Sequence, residues 1–157
     1  GSVGPAGEAT RLDPFRGKLA ARLVQRLAAG PTEPDLLEAV ERFEIALFSR
    51  GPVRADELRE ALVSLLGGED GPWAAAMRAA ALLGENPRDR ADLLRALQGL
   101  IDGDGPGAPA EDVVRRALVE ALLAESRDAL VGALDDALLG LRPHPQVTTA
   151  ARVLATG

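Results

Sequence analysis

Apolar residues recur every three to four positions along most of this chain, and glycine or proline repeatedly interrupts them. Residues 54–66 show the pattern most clearly. Leu58, Ala61, Leu62, Leu65 and Leu66 fall at i, i+3, i+4, i+7 and i+8, which places them on one face of an α-helix. Asp56, Glu57 and Glu60 occupy the first turns, where the helix dipole favours negative charge. Gly67-Gly68 allows the left-handed conformation that ends helices, and Pro72 cannot continue the same one. Burying the four leucines contributes roughly 1.5–3 kcal/mol each before the entropy of ordering is subtracted.

The same reading predicts about eight short helices and no strand. Leu12, Phe15, Leu19, Leu23 and Leu27 predict a first helix over 12–29, ended by Gly30-Pro31. Thr32-Glu33-Pro34-Asp35 is a start signal with Thr32 as the cap. The second helix then runs to Ser49, with Leu36, Leu37, Val40, Phe43, Leu47 and Phe48 expected inward. The third is 54–66. The fourth reads WAAAMRAAALLG from Trp73, with Trp73 and Met77 expected as core anchors one turn apart. Asn86 caps a fifth over 87–101, and DGDGPGAP at 102–109 forms a loop. Residues 110–142 contain no proline, yet the stripe through Val113, Val114, Ala117, Leu118, Ala121 and Leu122 lies nearly opposite the one through Leu130, Leu134, Ala137, Leu138 and Leu141. A break at Ser126, a good N-cap, reconciles the two. A short eighth helix is expected over 146–155. Residues 1–10, rich in Gly, Ala and Pro, are expected to be disordered, and 11–157 to form a single all-helical domain.

Internal similarity adds a second level of organisation. Asp35-Leu36-Leu37 matches Asp92-Leu93-Leu94, Ala61-Leu62-Val63 matches Ala117-Leu118-Val119, and Ala81-Leu82-Leu83-Gly84 matches Ala137-Leu138-Leu139-Gly140. The order is kept, so 35–87 and 92–143 read as two copies of a three-helix unit, in a bundle or short solenoid. Compositional bias towards Ala, Leu and Arg is the competing explanation.

Composition narrows the chemistry. With 157 residues the chain is long enough for one core, and with three Phe and one Trp that core is mostly Leu, Ala and Val. There is no cysteine, which removes disulfides, thiolate catalysis and thiolate-bound metals. No apolar run approaches the roughly 18 residues of a membrane span, and the polar start is not a signal peptide, so a cytoplasmic setting is expected. Lys18 is the only lysine among 18 basic residues, a bias we read as the mark of a GC-rich bacterial genome. Gly1-Ser2 and the absence of an initiator methionine read as a cleavage remnant.

The net charge of −6 is uneven. Residues 1–31 carry an excess of three positive charges, which leaves −9 on the remainder. An acidic body disfavours nucleic acid and anionic membranes. Arg11, Lys18, Arg22 and Arg26 share one face of the first helix and form a candidate docking surface for an acidic partner.

No cofactor is expected. His144, the only histidine, stands between two prolines and is expected in an exposed loop. Asp102 and Asp104 resemble the start of a calcium loop, but Pro106 stands where the third ligand belongs. The pattern therefore points to a non-enzymatic protein-interaction or adaptor domain whose partner is another protein or a second copy. Two alternatives follow: a bundle enclosing a small apolar ligand near Trp73, Met77 and Phe43, and a DNA-binding regulator, for which only the first helix is basic enough.

Overall fold

Leucine stripes separated by glycine and proline stops produce helices, with no strand among the described residues. The computed structural model describes residues 21, 25, 33–103 and 107–145. Helix α1 is Pro34–Phe48 and α2 is Gly51–Leu62. The chain then passes through a wide π-helical turn, Val63–Gly67, and a 3₁₀ turn, Gly68–Asp70, into α3, Gly71–Leu83. Helices α4 (Pro87–Asp102), α5 (Ala108–Leu123) and α6 (Arg127–Leu138) follow. The predicted first and eighth helices lie outside the described residues, and so do Arg11, Lys18, Arg22 and Arg26. Within 12–29 only Ala21 and Gln25 are described, and both are helical and exposed.

The start signals act as their chemistry requires. Asn86 Oδ1 accepts from the Asp89 backbone N–H at 2.9 Å, and its amide reaches the Asp89 carboxylate in return, which fixes the first turn of α4. Ser126 Oγ accepts from the Ala129 N–H at 3.1 Å, so the proline-free stretch does break where its two stripes diverge. Glu33, not Thr32, holds the N-cap position of α1, and its side chain does not cap that helix. It accepts instead from the Arg127 backbone N–H, 2.9 Å from each carboxylate oxygen, and so supplies a negative charge to the start of α6.

Helices α2 and α5 bury the faces their sequences predict: Leu58, Ala61 and Leu62 from the first, continued by Leu65 and Leu66 of the π-helical turn, and Val113, Val114, Ala117, Leu118, Ala121 and Leu122 from the second. Leu97, Leu100 and Leu134 complete the centre. Two faces differ from expectation. Helix α1 buries Leu36, Ala39, Phe43 and Ala46, while Leu37 and Leu47 are exposed and Phe48 is 91% exposed. The two alanines let α1 approach α2 closely, so the helix turns its small residues inward. Helix α3 behaves likewise. It buries Ala75, Ala76, Ala79 and Ala80, and leaves Trp73 (50%) and Met77 (43%) half-exposed instead of anchoring the core. Leu138 and Leu141 of the last predicted stripe are exposed as well.

The π-helical turn ends on Gly68, at φ +55°. A side chain there is strained, and a Cβ would also stand 3.3 Å from the Arg127 guanidinium. This is the stop that Gly67-Gly68 marks in the sequence, with an arginine packed against it.

Candidate functional site

A helix end leaves its last carbonyls without an onward N–H. Here those of Ser64, Leu65, Leu66 and Gly67 lie in the interior, and two arginines distant in sequence satisfy them. Arg127, at the start of α6, donates from Nε to the Ser64 and Leu65 carbonyls at 3.0 and 2.9 Å. Arg78, in α3, donates from one terminal nitrogen to the Leu66 and Gly67 carbonyls at 2.8 and 3.3 Å. Both residues are buried, at 8% and 6% exposure.

Each guanidinium is also balanced by carboxylates. Arg78 makes a two-pronged pair with Asp135 at 2.7 and 3.0 Å, and reaches Asp70 at 2.6 Å. Arg127 pairs with Asp35 and Asp128, both at 3.2 Å. The hydrogen bond to Asp135 holds the Arg78 pKa above its ordinary value, against the opposing effect of burial. The fold thus favours the charged form, and this contribution to stability is lost only as pH rises beyond the ordinary arginine range. Nothing in the stripe pattern marks these two residues as interior. The available signal is Arg78 standing alone among the alanines of WAAAMRAAALLG.

A cleft of about 200 Å³ lies at the other end of α3, lined by Met77, Ala80, Ala81, Arg90, Leu94, Ala137, Leu138 and His144. Its polar floor repeats the chemistry of the first site. His144 Nδ1 stands 3.3 Å from the Ala81 carbonyl, and Arg90 donates to the Gly84 carbonyl at 3.2 Å. Both groups close the C-terminus of α3. Arg90 is half-buried, and among the described residues it has no carboxylate partner. His144 is half-buried against α3, not exposed in a loop as its flanking prolines predict. Gly84 is required by proximity: a Cβ there would meet Arg90 Cγ at 2.4 Å and two backbone atoms at 2.9 Å.

Partly exposed apolar residues line this cleft, and others are near them in the chain. Met77 and Leu138 line it and are partly exposed, Trp73 stands one turn before Met77, and the exposed Leu139 and Leu141 follow Leu138 in the chain. Of the three residues expected to frame an enclosed pocket, Met77 lines this open cleft, Trp73 is half-exposed and not among its lining residues, and Phe43 is buried in the core on α1. Among the described residues no group of three or more His, Asp or Glu side chains is placed to hold a metal, and no helix is long and apolar enough to cross a membrane.

No protein-family model, no curated protein and no solved structure matches this chain.

Proposed function

We propose that this protein is a non-enzymatic protein-interaction domain that seats one apolar side chain of a partner in the Met77–Leu138 cleft. Arg90 at its edge receives an adjacent acidic group. The observation that carries this reading is the cleft itself, in which the partly exposed Met77 and Leu138 stand beside Ala80, Ala81, Leu94 and Ala137. A half-buried guanidinium that has no carboxylate partner among the described residues adds the preference for acidic residues. The cleft is smaller than the roughly 300–1,000 Å³ of usual small-ligand pockets, which favours a single side chain over a free apolar ligand. The arginine-rich, lysine-poor composition supports a GC-rich bacterial source. Two runs of three helices, α1–α3 and α4–α6, support the duplication reading in helix order. The π-helical link between α2 and α3 has no counterpart between α5 and α6.

Panning a random peptide display library on the wild type and on Met77→Asp tests the reading. Met77 is half-exposed, so the substitution leaves the fold intact. Enriched peptides are expected to carry Leu, Phe or Trp beside Asp or Glu, to lose binding on Met77→Asp and to bind Arg90→Gln more weakly. Equal enrichment on wild type and Met77→Asp would remove the cleft as the binding site.

A further inference from the structure

Two polar groups with opposite needs stand together in the Met77–Leu138 cleft. Arg90 can only donate. It gives one N–H to the Gly84 carbonyl at 3.2 Å, and among the described residues its other N–H groups meet no carboxylate. Its stem is packed against Gly84, where an added Cβ would stand 2.4 Å from Arg90 Cγ, so little freedom is left to lose on binding. His144 is an acceptor. Its Nδ1 lies 3.3 Å from the Ala81 carbonyl, which only accepts, so Nδ1 carries the proton and Nε2 of the neutral ring keeps the lone pair. Ala81 and Gly84 are three residues apart, so the two groups are anchored about one helical turn from each other. Apolar walls from Met77, Leu94 and Leu138 complete the cleft.

A ligand matching this set carries an apolar side chain, an N–H and an acid within a few bonds of one another. The C-terminal residue of a peptide has all three on one Cα. An internal Asp or Glu beside an apolar residue is a substitute that brings its acid from further along, with more chain to fit around a cleft of about 200 Å³. A free carboxylic acid lacks the N–H. We infer, on the reading of the cleft given above, that its partner is a protein C-terminus ending in leucine or a residue of similar size. The α-carboxylate accepts from the guanidinium fork of Arg90, the terminal N–H donates to His144 Nε2, and the side chain enters between Met77, Leu94 and Leu138. The negative end of α3 by itself repels an anion, and Arg90, bonded to that end, offsets it.

Met77 is the only methionine in the chain, so methyl-labelled methionine gives a single NMR signal from within the cleft. Acetyl-Ala-Ala-Leu with a free carboxylate is titrated into the full chain, in parallel with its C-terminal amide and with isocaproate. The free acid is expected to shift the signal saturably and to bind at least about tenfold more tightly than either of the others, the worth of one charge-assisted hydrogen bond. Arg90→Gln should bring the acid down to the affinity of the amide and leave the amide unchanged, which separates a direct contact from a loosened fold. Equal binding of acid and amide would overturn the inference and leave the apolar seat standing. Isocaproate binding as tightly as the peptide would overturn it by assigning the site to a free acid. No shift with the free acid, where an internal peptide selected by display does shift the signal, would overturn it as well. No shift with either would remove the docking reading of the cleft together with it.

Discussion

Replacing Arg78 with methionine separates two roles that one side chain performs. Methionine keeps much of the aliphatic stem but no donor. The Leu66 and Gly67 carbonyls, both buried, would lose the terminal nitrogen they share. Leaving a buried acceptor unsatisfied costs about 1–3 kcal/mol. The two carboxylates are a smaller matter, because Asp70 and Asp135 keep roughly half or more of their side-chain surface in water and can be hydrated when the arginine is gone. Exposed pairs of this kind are worth about 0–1 kcal/mol. The expected loss for Arg78→Met is thus about 3 kcal/mol, dominated by the backbone, and for Asp70→Asn under about 1 kcal/mol. Urea unfolding followed by circular dichroism measures both, with an unchanged slope as the sign that the same surface is exposed. In a thermal scan the arginine variant should melt roughly 10 °C lower. A loss below about 1 kcal/mol for Arg78→Met, or an equal loss for Asp70→Asn, would refute the primacy of the backbone carbonyls.

Two further outcomes follow from local geometry. Gly84→Ala forces a methyl group into Arg90 and two backbone atoms and should cost about 1–3 kcal/mol in the same unfolding assay, although the φ of Gly84 suits any residue. Ser126→Ala removes the cap that separates α5 from α6 and should cost about 1 kcal/mol, with Ser126→Asp restoring most of it; no loss for alanine would show the Glu33 carboxylate to be cap enough.

The parts of the fold legible in the sequence are those where one physical effect dominates. Stripes of leucine and valine on α2 and α5 have no competing way to bury their apolar surface, and both lie as their periodicity dictates. Caps such as Asn86 and Ser126 are local and depend on three residues each. Helices α1 and α3 were less legible because each offers two candidate faces, one bulky and one of alanines. Periodicity ranks the bulky face first. Close approach of backbones decides for the small one, and so Phe48, Trp73 and Met77 face outward. The candidate cleft depends on this reversal, since Met77 lines it only because the alanines of α3 took the interior. Arg78 and Arg127 were illegible for another reason. Their burial answers the carbonyls of a π-helical turn, and no stripe records where a helix widens before it stops. Glu33 shows the same limit. Its position announces a cap, but the helix it serves begins more than ninety residues later.

The end of α2 is finished by a residue from α3 and a residue from α6, so it cannot be completed while the C-terminal helices are missing. A nascent chain that has emerged only as far as Leu123 would hold this turn open, its amides exchanging freely with solvent. Severing the protein between its two triplets of helices should therefore yield two unstable pieces and not a pair of smaller domains. Any ancestor made of a single triplet must have closed that turn by other means.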